Sequence, residues 1–136
     1  MSAKSFRARH AMGSIVRGTA LVAHDGFSAR YDLDRIKGVF SRTSHKLAGQ
    51  SYVGKILVLD TAKGGVATAW MLHEMKSRGV VPLALVFNSV NPIFAQGAAL
   101  GDVSILAGFA EDITAAIPDG VEVEVNPQIG VLTVVG

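Results

Sequence analysis

Apolar positions along this chain gather in short runs broken by glycine, asparagine and proline, a pattern of buried strands joined by turns and a few helices. The densest run, Ile56-Leu57-Val58-Leu59, has the length and branched character of a strand covered on both faces. After it Asp60-Thr61-Ala62-Lys63-Gly64-Gly65 forms a turn in which paired glycines permit positive φ. Val66, Trp70, Met71 and Met75 then recur at helical spacing, with Trp70 read as core and Gly79 as the helix C-cap. Residues 82–87 (PLALVF) give a second buried strand, so strand, helix and strand make a parallel crossover pair. Beyond it, Asn91 and Pro92 open a short helix over 93–100, and 102–106 is another buried strand. A helix over 109–117 stops at Pro118-Asp119-Gly120, and strands over 121–125 and 129–135 pair as a hairpin.

Upstream, residues 15–23 read as a strand, His24-Asp25-Gly26 as a turn, and 27–33 as an alternating second strand. Residues 34–51 show poor periodicity. They make either a functional loop or a connection stapled by Val39, Phe40 and Leu47. Residues 1–13 are polar and read as a flexible lead-in to one domain over 14–136. The fold class is α/β: a mixed sheet or half-open barrel with central parallel βαβαβ units and flanking helices. A flat three-layer sandwich is the competitor.

Composition changes this picture in two ways. Hydrophobic residues make up 49% and charged ones 18%, which calls for a sheet covered on both faces and an apolar surface that meets another subunit. A net charge of +2 without interleaved aromatics argues against nucleic acid. The absence of cysteine removes disulfides, thiolate nucleophiles and a Cys-held cluster from the chain itself, and suits a cytoplasmic setting. A secretory leader and a membrane span are not expected.

Ligands of open α/β sheets collect beyond the carboxyl ends of the parallel strands. Three loops arrive there, at 60–65, 88–92 and 107–108. The first offers the backbone amides of Gly64, Gly65 and Val66, the Lys63 ammonium and the Thr68 hydroxyl; the second offers Asn88 and Asn91. Together they form a cradle for a small carboxylate or phosphate. The plain alternative is a tight turn with solvated Lys63 and Thr68. Dinucleotide and P-loop spacings are absent, since Lys63 precedes the glycines. No two histidines stand at metal-ligand spacing. His45, inside the irregular loop, is the one considered as an acid/base or substrate contact. No serine, histidine and acid form a visible triad.

The stretch HKLAGQSYVGKILVLDTAKGG from His45, followed by NPIFAQGAAL from Asn91, resembles the small subunit, or swivelling domain, of the aconitase X family. That resemblance implies a swivelling β/β/α fold that closes over a larger subunit. The implied activity is a hydro-lyase reaction on a hydroxy-carboxylate such as cis-3-hydroxy-L-proline or mevalonate 5-phosphate. An iron–sulfur cluster would sit in the partner, and none in this chain. Ser51 joins the implied substrate contacts. Members carry serines in the turn after the basic residue and glycine; here Gly65-Val66-Ala67-Thr68 stands instead, and Thr68 is the nearest hydroxyl. Lys63 and the amides would stabilise a developing enolate. A stand-alone anion-binding or regulatory module, and a structural homo-oligomer, are the alternatives. The isolated chain is expected to self-associate and to be inactive alone.

Overall fold

Ile56, Leu57, Val58 and Leu59 are all fully buried, alternate ones in different clusters, so the run is unbroken because both faces of its strand are covered. The computed structural model describes residues 4–28, 32–62, 66–89 and 103–135, with only the backbone of 66–69. Its strands are β1 (Lys4–Arg7), β2 (His10–Met12), β3 (Val16–Val22), β4 (Gly26–Phe27), β5 (Leu33–Asp34), β6 (Val39–Phe40), β7 (Ile56–Ala62), β8 (Ala84–Ser89), β9 (Ser104–Ala107), β10 (Glu122–Asn126) and β11 (Val131–Val134). The helices are α1 (Val66–Arg78) and α2 (Ile113–Ala116).

The strands pair in the order β1-β11-β10-β3-β7-β8-β9-β2, with β4 added beside β7. β3, β7, β8 and β9 run parallel to their neighbours in that series, and the remaining pairs of the path are antiparallel. The two ends of this path are consecutive in the chain. Ala8 N–H donates to Gly130 C=O at 2.8 Å and Arg9 N–H to Gly108 C=O at 2.9 Å, so the seam is bonded on both sides. The sheet therefore closes into a barrel. Ile56, Val58, Val86, Leu106, Val125 and Leu132 are among the residues that fill it, and Ile113 and Ile117 from α2 plug the end. Each such side chain contributes about 1.5–3 kcal/mol by leaving water.

That seam corrects one expectation. Residues 1–13 are read from sequence as a lead-in, yet 4–7 and 10–12 are the strands that join the sheet's edges. The signal is weak because Phe6, Ala8 and Ala11 pack on the barrel core while lysine, arginine and histidine face out.

Outside the barrel, Leu57, Leu59, Leu85 and Phe87 meet Leu72 and Met75 of α1 together with Phe27, Phe40, Leu47 and Tyr52. Barrel, outer core and helix make the β/β/α layering. α1 ends as expected at Gly79, whose φ of +73° a side-chain-bearing residue resists. Gly79 N–H donates to Lys76 C=O and Val80 N–H to Met75 C=O, the two bonds of a Schellman cap. Trp70 is not core: it is 67% exposed, because Leu72 and Met75 define the buried face and Trp70 lies opposite.

The expected strand over 27–33 reduces to β4 and the start of a β5–β6 ribbon, with 29–31 outside the described residues. The helix expected over 109–117 shrinks to α2: Asp112 caps its start, and Ile117 is extended ahead of Pro118. The helix expected over 93–100 lies outside the described residues.

Candidate active site

The carboxyl ends of β3, β7 and β8 form a polar rim, and the pleat divides it into two faces. On the barrel side, Asn88 is a clamp. Its amide nitrogen donates to Asp60 Oδ1 at 3.0 Å and to Asp112 Oδ1 at 2.8 Å, and its Oδ1 accepts from Ile113 N–H at 2.7 Å. Both N–H donors of that side chain are thereby engaged. Asp112 accepts in turn from Thr114 N–H and Oγ1, so the two leading amides of α2 are satisfied by Asn88 and Asp112. Those bonds, Thr114's first and then Asn88's, hold the Asp112 carboxyl below its usual range. His24 Nδ1 lies 3.0 Å from Thr114 Oγ1 and completes the knot.

On the helix side of the rim, Thr61 and Ser89 stand opposite each other in the parallel β7–β8 register. Ser89 Oγ donates to Thr61 Oγ1 at 3.2 Å. α1 starts at Val66, five positions after Thr61. Its first turn carries no acidic residue, while Lys76 and Arg78 occupy its last turn. A helix start of this kind, with no carboxylate in its first turn, places the positive end of the helix dipole at the rim.

His45 is buried, with 3% exposure. Its Nε2 sits 2.8 Å from Gly26 C=O, and its Nδ1 accepts from Leu47 N–H at 3.0 Å, which together select the neutral Nε2–H tautomer. Its ring stacks on Phe40 at 4.6 Å. The geometry gives His45 the work of a staple: it holds β4, and β4 pairs with Thr61 and Ala62. Asp25 serves the same loop. Burial alone would raise its carboxyl, but N–H donors from Lys46 and Gly26, with the Arg42 guanidinium nearby, bring it below the usual range.

Of the other residues singled out by sequence, Lys63, Gly64, Gly65 and Asn91 lie outside the described residues, and Val66 and Thr68 are described by backbone only, within the first turns of α1. Ser51 stands elsewhere. It bridges to Val39, its Oγ accepts from Val53 N–H at 3.3 Å, and it lines a cleft of about 400 Å³ with Thr19, Gln50, Lys55 and Asp119. That cleft is at the amino end of β7, about 20 Å from the rim by the length of a seven-residue strand.

The pattern read from sequence misses Asp112, Thr114, Thr61 and Ser89. An Asp two positions before Thr114 at a helix start is a capping signal that could have been read. The Thr61–Ser89 pair depends on strand register and leaves no local trace. Among the described residues no three histidine or acidic side chains converge as metal ligands.

A barrel with one long helix laid over its parallel strands, and a polar rim at their carboxyl ends, defines a swivel-type β/β/α domain. Residues 5–134 match the family model of the aconitase X swivel domain, and the chain belongs to that family. It is similar to the phosphomevalonate dehydratase small subunit of Methanosarcina acetivorans, at 27% identity over 118 residues, covering 87% of this chain and 82% of that protein. The phosphomevalonate dehydratase small subunit of Thermococcus sibiricus is 29% identical over 128 residues, 94% of this chain and 96% of the other. A chain of the holo-form crystal structure of Thermococcus kodakaraensis aconitase X superposes with a TM-score of 0.89 at 22% identity, over 98% of this chain and 99% of that one. At that identity the likeness concerns the fold.

Proposed function

We propose that this chain is the small subunit of a two-component hydro-lyase, and that it closes over the active site of a larger catalytic subunit to dehydrate mevalonate 5-phosphate. The observation that carries this reading is the acid-free start of α1 beyond the carboxyl end of β7, in a chain of this family. Its relatives' shared name, phosphomevalonate dehydratase small subunit, supports the substrate. Loss of water from a 3-hydroxy acid removes a proton from the carbon beside the carboxylate and expels the hydroxyl. The charge then builds on the carboxylate side. Amides of Gly64, Gly65 and Val66, with the Lys63 ammonium, suit that charge, and Thr68 is the nearest hydroxyl for a proton transfer.

Iron–sulfur clusters are held by cysteine thiolates, and this chain has no cysteine. We place any such cluster in the larger subunit. Among the described residues no helix is long and apolar enough to cross a membrane. We assign the complex to the cytoplasm.

The test is reconstitution. The chain is co-purified with a larger cysteine-bearing subunit, and water loss from mevalonate 5-phosphate is followed for the pair and for each part. Turnover is expected from the pair alone, and Lys63→Ala should lower it by about 10²–10³ as loss of a charge-stabilising donor does. A stable pair that leaves mevalonate 5-phosphate untouched overturns the substrate; failure to find any larger companion favours an anion-binding module without chemistry.

A further inference from the structure

The turn from β3 into β4, residues 24–26, touches both parts of the rim. On the barrel face, Thr114 gives its proton to Asp112 Oδ1, so its oxygen accepts from His24 Nδ1–H at 3.0 Å. At the end of β7, Asp60 N–H donates to Asp25 C=O at 2.9 Å, and Thr61 and Ala62 pair with Gly26 and Phe27. Lys63 is the next residue in the chain. A turn this short has no ladder of its own to hold it still. Its support comes from 19 to 22 positions away, where two consecutive residues reach all three of its members. His45 Nε2–H donates to Gly26 C=O at 2.8 Å, Lys46 N–H to Asp25 Oδ2 at 3.1 Å and Lys46 Nζ to His24 C=O at 2.9 Å. The His45 ring cannot swing away, since it is buried, stacked on Phe40 and bonded at Nδ1 by Leu47 N–H.

We propose that His45 and Lys46 are positioning residues: by clamping the 24–26 turn they fix the end of β7, the strand that leads into Lys63. This rests on the reading of the rim as the substrate site, and adds to it two residues that act through the turn and touch no substrate. Such support matters because a misplacement of about 1 Å at a reacting centre can cost about a hundredfold in rate.

The two bonds of the His45 ring can be cut separately. His45→Asn keeps an oxygen near Nδ1 for Leu47 N–H but falls short of Gly26. His45→Gln keeps a nitrogen near Nε2 that can donate to Gly26 C=O. The two-subunit complex is assayed on mevalonate 5-phosphate with both variants and with Lys46→Met, and amide hydrogen exchange is followed on the full small subunit alone. His45→Asn should lower kcat about tenfold with KM within about twofold, the pattern of a contribution made in the transition state. It should also speed exchange of the Asp60 amide about fivefold, and leave that of Ala23, bonded to Val58 C=O, as in the wild type. His45→Gln should resemble the wild type in both readouts. Lys46→Met, on an exposed side chain, should lower kcat and speed Asp60 exchange about threefold. A histidine that only fills space would make His45→Asn and His45→Gln alike in kcat and exchange, and that result overturns the proposal. Where both His45 variants fail to fold, Lys46→Met decides, and wild-type kcat and exchange overturn it. A folded complex that leaves mevalonate 5-phosphate untouched removes the dehydratase reading alone. Asp60 exchange that separates His45→Asn from His45→Gln then supports the clamp, and exchange that does not overturns it.

Discussion

The carboxyl and amino ends of the parallel strands differ in how their polar groups are engaged. At the carboxyl end Asp60, Asn88, Asp112 and Thr114 bond to one another within 3.1 Å, and His24 leans on the group. At the amino end Ser51, Lys55 and Thr19 border an open cleft, and the buried hydroxyl of Tyr52, next to Ser51 in sequence, has no hydrogen-bond partner among the described residues. The cleft has the volume. The rim has the construction: strand ends and a capped short helix, fixed by named bonds. Free space is therefore a poor guide to chemistry in this fold, because a swivelling domain contributes a surface that a second body completes.

The contrast is broken most severely by Asn88→Ala. That change strips the Ile113 amide of its acceptor and removes the donor shared by Asp60 and Asp112, so chemical denaturation should show a loss of about 2 kcal/mol. A variant as stable as the wild type would mean that the rim is not built by this clamp.

Tyr52→Phe should act in the opposite sense and more weakly. Removing a buried hydroxyl that has no partner is expected to gain about 1 kcal/mol. Burial first, and the nearby Asp34 second, push the Tyr52 hydroxyl up to about 12. An unfolded chain gives up that proton near pH 10, so between these values the folded protein binds more protons than the unfolded one and stability falls as pH rises. Urea unfolding at about pH 9 and about pH 11 should show that fall in the wild type and a smaller one in Tyr52→Phe. Equal falls would show that Tyr52 titrates normally.

The smallest effects belong to the cleft. Ser51→Ala and Lys55→Ala should leave turnover of the complex within about twofold, as surface changes away from a site do. A tenfold loss from either would move the substrate site to the amino end.

How much of this could be read in the residues depends on how local each cause is. Ile56–Leu59, Gly79 and the crossover from β7 to β8 follow from neighbours in sequence, and they stand where the pattern puts them. The rim was also legible as a place, since strand ends and helix starts are local features. Its wiring was not. Asn88 reads as a ligand contact, but its partners Asp60 and Asp112 are 28 and 24 positions away. His45 reads as an acid/base candidate because nothing nearby reveals that Gly26 and Leu47 claim both ring nitrogens. Trp70 reads as core because size suggests burial, whereas the helix turns it away from Leu72 and Met75.

The seam formed by β1 and β2 also sets an order of events. Lys4–Arg7 is made long before Val131–Val134, and His10–Met12 long before Ser104–Ala107, yet each needs that later strand as its neighbour. During synthesis this stretch has to travel unpaired, exposing lysine and arginine outward, until nearly all of the remaining polypeptide has left the ribosome. The final stave thus goes in late, and a ring that cannot shut until then keeps two adhesive edges open to strangers in the interval.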